Sequence, residues 1–294
     1  MDLYHSIVIT GGGGMLALAL KNVLEARERG YVALDRKSLD VTSEASLKAA
    51  FAEHKPTLLL NCAAHTKVDL CEDERDKADA INGYALGSIA KLARDHGTTL
   101  VHYSTDFVFN GAGTRPYRID DPVGPLSAYG SSKLLGEQKL QESPPENWLI
   151  LRTAWLYGRG GPNFPRTIVE RARQGGTLKV VNDQIGSPTY TADLAEATFD
   201  LLDRNAHGIF HVTNSGSTSW HGFAQAAVDE FGVPVRVGET TSTEWLKIRP
   251  RQAHRPAYSV LDGSAMEKVI GRPMRPWREG LKSFRDAVNA KGFA

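Results

Sequence analysis

Three side chains in this sequence could be brought to one carbonyl oxygen: the hydroxyl of Thr105, the phenol of Tyr129 and the ammonium of Lys133. They lie in two short segments, Ser104-Thr105-Asp106 and Tyr129-Gly130-Ser131-Ser132-Lys133. Tyr129 and Lys133 stand four residues apart, so on a helix they share one face. A phenol ordinarily has a pKa near ~10, too high to exchange protons readily at neutral pH. A neighbouring ammonium favours the phenolate and lowers that value. Thr105 could hydrogen-bond the same oxygen and fix its position. The spacing alone is a weak signal, because a packed Tyr beside a solvated Lys produces it on many helices. The elements that position the three residues therefore decide the reading.

Those elements begin at the amino terminus. Ser6 to Thr10 is a short apolar run rich in β-branched residues, Gly11-Gly12-Gly13-Gly14 follows directly, and Met15 to Leu24 reads as a helix. Strand, glycine turn and helix in that order form the front of a dinucleotide-binding βαβ unit. Glycines let the backbone approach a pyrophosphate, and the free N–H groups of the helix then face the phosphates. In a G-x-x-G-x-x-[GA] frame the positions are Gly11, Gly14 and Ala17. Asp35 ends the next apolar run, about 20 residues past the turn, where an acidic side chain meets an adenosine ribose. Arg36 and Lys37 follow at once and could instead meet a 2′-phosphate, so NADH and NADPH both stay open.

Strands and helices alternate onward. Leu58 to Asn61 reads as a third strand, Asp79 to Asp95 as a helix, and Leu100 to Ser104 as a fourth strand delivering Thr105 at its carboxyl end. Ser127 to Gln141 reads as the helix bearing Tyr129 and Lys133, and Trp148 to Arg152 as a fifth strand. Continuous apolar strands separated by helices imply an α/β fold, a Rossmann-type doubly wound parallel sheet covered on both faces. Ligands of such sheets bind beyond the carboxyl ends of the strands. After residue 153 turn-rich segments alternate with helices near Ala192 to Leu202 and Trp220 to Glu230 and a strand at Gly208 to Val212. Arg249 to Pro256 is basic and proline-broken, a poor helix or strand. The division expected is a dinucleotide-binding domain over 1–153 plus interleaved later strands, and a smaller, mainly substrate-binding region over 154–294.

With 294 residues, 41% hydrophobic, and a formal net charge of +1, the chain shows no electrostatic pull towards nucleic acid or membrane. No apolar run approaches a bilayer span, and no signal peptide is readable. Cys62 and Cys71 lack metal-type spacing and read as buried thiols, which suits a reducing cytoplasm. No clustered carboxylates call for a metal ion.

Taken in order, the segments carry a resemblance. Thr10-Gly-Gly-Gly-Gly-Met-Leu-Ala17, Asn61-Cys-Ala-Ala-His-Thr-Lys-Val-Asp69, His102-Tyr-Ser-Thr-Asp-Phe-Val-Phe109 and Tyr129-Gly-Ser-Ser-Lys133 come first. Arg152-Thr-Ala-Trp-Leu-Tyr-Gly158, Asp183-Gln-Ile-Gly-Ser-Pro188, Arg255-Pro-Ala-Tyr-Ser-Val-Leu-Asp262 and Trp277-Arg-Glu-Gly280 follow. The chain resembles the extended short-chain dehydrogenase/reductases, and among them the dTDP-4-dehydrorhamnose reductases. The glycine and Tyr/Lys motifs specify the superfamily; Asp-Gln-Ile-Gly-Ser-Pro and Arg-Pro-Ala-Tyr-Ser specify the branch.

The resemblance implies NADPH- or NADH-dependent reduction of the C4 keto group of a dTDP-sugar, giving dTDP-L-rhamnose. Tyr129 would protonate the alkoxide, Lys133 would hold the nicotinamide ribose, and Thr105 would hydrogen-bond the reacting oxygen. Asn82 is similar to the superfamily's fourth polar member, or is a buried amide with ordinary backbone bonds. Gly14, Met15 and Leu16 would line the pyrophosphate, and Asp40 and Val41 would flank the adenine. Ala63, Ala64, His65 and Thr66 would pass the cofactor, with Tyr103 near it. Asp106 and Trp155 would contact sugar or nucleotide, although an indole can also simply fill core. Asn163, Gln184 and Arg255 are further substrate candidates; Arg255 could pair with a diphosphate or decorate the surface. Phe107 departs from the Tyr common in the family, and Ala17 replaces the third fingerprint glycine. Other readings are a reductase of a different NDP-4-keto-sugar and a non-catalytic dinucleotide-binding regulatory subunit. A 4,6-dehydratase would need an acid where Phe107 stands. A homodimer is left open.

Overall fold

The apolar runs form six strands: β1 (Ile7–Thr10), β2 (Val32–Leu34), β3 (Leu58–Asn61), β4 (Thr99–Thr105), β5 (Trp148–Thr153) and β6 (Gly208–His211). The computed structural model describes residues 4–249 and 252–293. It joins the strands in one sheet of order β6-β5-β4-β3-β1-β2, every neighbouring pair parallel. The chain leaves β1 for β2 on one side and returns to β3 on the other. The reversal opens a crevice at the carboxyl ends of β1 and β3, and parallel strands place their turns and reactive residues there.

Helices cover both faces: α1 (Met15–Ala26), α2 (Glu44–His54), α3 (Val68–Asp73), α4 (Arg75–Ala78), a π-helical turn (Asp79–Tyr84), α5 (Ala85–Asp95) and α6 (Ala128–Glu142). Beyond β5 come α7 (Phe164–Arg173), α8 (Thr191–Leu202), α9 (Trp220–Glu230), α10 (Ser242–Ile248), α11 (Ser264–Ile270) and α12 (Trp277–Lys291). Alternate strand residues point to opposite faces. Ile7, Ile9, Leu58, Leu60, Val101 and Leu151 share a core with α1, α8 and α11. Val8, Leu59, Leu100 and Ile150 share the other with α2, α5 and Leu140 of α6.

On that second face the apolar rows give way, towards the carboxyl ends, to polar ones. Thr10, Asn61 and His102 are register partners across β1, β3 and β4. Ser104, Arg152 and His211 are partners across β4, β5 and β6. All six are buried. The helix expected over 79–95 begins instead with the π-helical turn, which pushes the Asn82 carbonyl against α6 at Gly136, where any Cβ would collide with it.

The later residues fold around short paired strands: Leu156–Tyr157 with Thr189–Tyr190, Ile185–Gly186 with Thr218–Ser219, and Lys179–Val181 with Gly238–Thr240. Their core is aromatic, built on Tyr157, Tyr190, Phe223, Trp277 and Phe284. Arg249 and residues 252–256 form neither helix nor strand, and residues 250 and 251 lie outside the described set. Among the described residues no helix is long and apolar enough to cross a membrane.

Candidate active site

Gly11 leaves β1 at φ +63°, and a Cβ there would sit 2.8 Å from the backbone of Cys62 and Ala63. Only glycine fits that conformation and approach without strain. Gly12 lies against Ala33, with its notional Cβ 3.0 Å away, so the loop depends on a glycine beyond the fingerprint positions. Gly14 is the N-cap of α1, with no capping side chain and no acidic residue in the first turn. The uncapped N–H groups and the positive dipole end are thus available to a pyrophosphate, and the residues fit a dinucleotide. Met15 and Leu16 begin the helix behind them, and Ala17 is fully buried.

At the end of β2 the Asp35 carboxylate accepts hydrogen bonds from the Ser38 backbone (3.0 Å), the Ser38 hydroxyl (3.0 Å) and the Lys37 backbone (2.9 Å). These bonds, those of Ser38 foremost, hold it below the usual carboxylate range. Arg36 beside it is exposed and has no hydrogen-bond partner among the described residues. The Asp40 carboxylate caps its own turn, accepting from the Thr42 hydroxyl at 2.7 Å, and Val41 is buried.

Thr105 closes β4 and Ser127 caps α6, its hydroxyl accepting from Gly130 N–H at 3.1 Å. The first turn of α6 lies on the Phe107 carbonyl, which a side chain at position 130 would strike. This packing brings the groups together. The Thr105 hydroxyl donates to Asp106 Oδ1 at 3.0 Å, accepts from Phe107 N–H at 3.2 Å, and faces the Tyr129 phenol. The Phe107 ring stands edge-on to Tyr129, centroids 5.6 Å apart. Asp106 is 1% exposed, and its Oδ2 has no partner. Burial pushes its carboxyl up to about 6, against the nearby Ser259 and Thr105 side chains.

Lys133 is also 1% exposed. Its Nζ donates to the Tyr103 carbonyl at 2.6 Å and meets His102 Nε2 at 2.9 Å. Burial brings the ammonium down to about 8, opposed by the Glu137 carboxylate. The expected depression of the Tyr129 pKa is reversed in this arrangement. Burial pushes the phenol up, the Thr105 hydroxyl relieves part of the shift, and Lys133 is turned towards β4. Tyr129 is therefore held protonated.

The other candidates divide. Asn82 is fully engaged: its Oδ1 accepts from His65 N–H at 2.8 Å, and its Nδ2 donates to the His65 carbonyl at 3.1 Å and to Ser132 Oγ at 2.9 Å. It ties the loop after β3 to α6 between Tyr129 and Lys133. The His65 ring pairs with Glu74 at 3.0 Å, so its backbone, beside Ala63, Ala64 and the exposed Thr66, follows the crevice. The Tyr103 ring lies on the opposite face, bonded to Thr198 at 3.2 Å; only its carbonyl meets Lys133. Asn163 is a helix cap rather than a free amide, accepting from Arg166 N–H at 3.0 Å and donating to the Gly158 carbonyl at 2.7 Å. Gln184 donates to Ser242 Oγ at 2.9 Å and keeps a buried Oε1 without a partner. Arg255 pairs with Asp69 at 2.9 Å. Trp155 holds φ +49° and stacks on Trp220, centroids 3.6 Å apart, against Gly186.

Several residues of this region were given no role by the motif reading. Ser132 donates to the Tyr129 carbonyl at 2.8 Å. Glu137, one turn beyond Lys133, pairs with Arg152 at 2.7 Å and accepts from Ser104 at 2.5 Å. Thr153, register partner of Thr105, has a buried hydroxyl without a partner. The available signal was polarity: Asn61, His102 and Arg152 interrupt or close apolar strand runs. Among the described residues no three His, Cys, Asp or Glu side chains gather to hold a metal ion.

A doubly wound parallel sheet with a glycine loop at its switch point and a Tyr-x-x-x-Lys helix beside β4 defines the class of the short-chain dehydrogenase/reductases. Within it, this chain belongs to the family described as RmlD substrate binding domain, whose profile matches residues 5–290. It is 43% identical to the spore coat polysaccharide biosynthesis protein SpsK of Bacillus subtilis, over 95% of this chain and 96% of that one. It is 42% identical to the dTDP-4-dehydrorhamnose reductase of Streptomyces griseus, over 93% of this chain and 91% of that one. The crystal structure of dTDP-4-dehydrorhamnose reductase from Bacillus anthracis, a complex with NADP, superposes with TM-score 0.91 at 35% identity, over 96% and 99% of the two chains.

Proposed function

We propose that this chain reduces the C4 keto group of dTDP-4-dehydro-L-rhamnose to dTDP-L-rhamnose, using NADPH or NADH. The observation that carries the reading is the meeting of the buried Thr105 and Asp106 with the half-buried Tyr129 at the carboxyl end of β4. The bound dinucleotide supplies a hydride to the carbonyl carbon. Tyr129, kept protonated by burial, gives its proton to the oxygen as negative charge develops there. The Thr105 hydroxyl orients that oxygen. Lys133 holds the nicotinamide ribose, and its charge favours the phenolate left behind. Asp106 Oδ2 and Thr153 Oγ1, buried without partners, accept and donate hydrogen bonds to sugar hydroxyls. Arg36 is available to a 2′-phosphate, which favours NADPH.

We assign residues 1–153 together with β6 to dinucleotide binding and the remainder mainly to the sugar nucleotide. The free thiols Cys62 and Cys71 support a cytoplasmic setting. Phe107 favours a second reading, reduction of a different NDP-4-keto-sugar, because it withholds a hydroxyl from the pocket. The test is loss of NADPH and NADH absorbance with dTDP-4-dehydro-L-rhamnose made in situ. Protein-dependent oxidation with dTDP-L-rhamnose as product supports the proposal. Tight dinucleotide binding without oxidation sinks it in favour of another keto-sugar or a regulatory subunit.

A further inference from the structure

The polar row beneath Lys133 has no part in the chemistry above, yet it displaces apolar packing from the centre of the sheet. Thr10, Asn61 and His102 are each buried. They form one chain of contacts: Thr10 Oγ1 to Asn61 Oδ1 at 2.6 Å, the Asn61 amide to His102 Nδ1 at 3.0 Å, and His102 Nε2 to Lys133 Nζ at 2.9 Å. The row runs from the residue before Gly11 to the ammonium in the site. Ala63 N–H also donates to Thr10 Oγ1 at 3.3 Å, which fastens the far end to the loop after β3. We propose that His102, held by Asn61 and Thr10, is a positioning residue that holds the Lys133 Nζ at the cofactor site and governs its charge. This rests on the reductase reading of the same site.

The physical case begins with desolvation. A buried ammonium is stable only where acceptors replace water. Around Lys133 these are the Tyr103 carbonyl and His102 Nε2, both on β4. Glu137, on its own helix, faces it but is already shared between Arg152 and Ser104. The Cys62 thiol, after β3, is held neutral by burial. His102 itself is kept neutral, first by burial and then by the Lys133 charge. A neutral imidazole accepts at Nε2 only if Nδ1 carries the proton, and Nδ1–H then needs an acceptor. The Asn61 amide supplies one only when turned over from its orientation in the structure, where Oδ1 accepts from Thr10 and Nδ2 faces His102. The orientation in the structure, oxygen to Thr10, suits the uncharged amine, with every donor reversed. The row thus satisfies either charge state, and the far end at Thr10 helps determine which tautomer His102 presents.

The test is NADPH affinity, read by fluorescence across pH, on the wild-type full chain and its variants. Binding to the charged Lys133 is fully present at low pH and weakens as pH rises through the titration of Lys133. His102→Leu removes an acceptor of the ammonium, so this limb should move to lower pH by about one unit, with roughly tenfold weaker binding on its slope. His102→Gln, which restores an acceptor oxygen, should move it back. Thr10→Val removes the donor that holds the Asn61 oxygen away from His102, so it should move the limb the opposite way, to higher pH, and decides the matter if His102→Leu does not fold. An unmoved limb in the folded variants, or a Leu effect that Gln does not rescue, overturns the positioning role. Failure of the wild-type chain to bind NADPH at any pH sinks the reductase reading itself and takes this role with it.

Discussion

Two buried regions of the molecule are stabilised by different means. At the carboxyl ends of β4 and β5, Lys133, Glu137, Arg152, His102 and Asp106 are all withdrawn from water. Beside them Tyr157, Tyr190, Phe223, Trp277 and Phe284 pack ring against ring, with Phe223 5.3 Å from Tyr157 and 5.7 Å from Trp277 by centroid. The polar region depends on directional hydrogen bonds, where one lost partner strands another group. The aromatic region depends on area and close packing. The candidate site thus lies in the region that depends most on unbroken hydrogen bonding. Trp155 stands between them, with one face on Trp220 and a left-handed backbone.

Substitutions that separate function from stability test this contrast most directly. Tyr129→Phe should lower kcat by about a thousandfold while leaving NADPH binding and the melting temperature nearly unchanged. A near-wild-type kcat in steady-state kinetics would show that Tyr129 is not the proton donor. Phe223→Ala should do the reverse, destabilising the fold by about 3–5 kcal/mol in urea titrations, with turnover retained by whatever stays folded.

Asp106→Asn probes the boundary between function and stability. Its carboxyl rises from the ordinary 3.8 to about 6 on folding. The protonated form is thus the favoured one in the folded chain: its contribution to stability is full below pH 3.8 and lost as pH rises through about 6. The Asn variant should accordingly gain about 3 kcal/mol at pH 8 and nothing near pH 4, while kcat/KM for the keto-sugar falls. Equal stability of the two proteins at both pH values would mean that the carboxylate is compensated. The smallest effect is expected from Phe107→Tyr, which should raise kcat/KM for the rhamnose precursor by up to about fivefold, the worth of one net hydrogen bond. Unchanged kinetics would make the missing hydroxyl irrelevant.

The helix bearing Tyr129 and Lys133 was legible because Ser127 caps it and its spacing repeats, and β3 because Leu58 to Leu60 is uninterrupted. The helix over 79–95 was legible only as a helix. Its π-helical start answers to Gly136, far along the chain, and no local pattern encodes that contact. Asn163 was a substrate candidate through the resemblance alone, and the structure shows its side chain engaged as a helix cap by Arg166 N–H. Arg255 read as a diphosphate partner, and its ion pair with Asp69 joins segments remote in sequence.

Local spacing and apolar period by themselves determined the glycine turn, the alternation of strands and helices, and the pairing of Tyr129 with Lys133 on one face. These follow from backbone sterics and side-chain periodicity, which act within a few residues. Only the tertiary structure decided where the Lys133 ammonium points, that burial raises the Tyr129 phenol, and that Thr10, Asn61 and His102 stand in one row. Those outcomes depend on desolvation and on register between strands that lie far apart in sequence, and neither is written in any single segment.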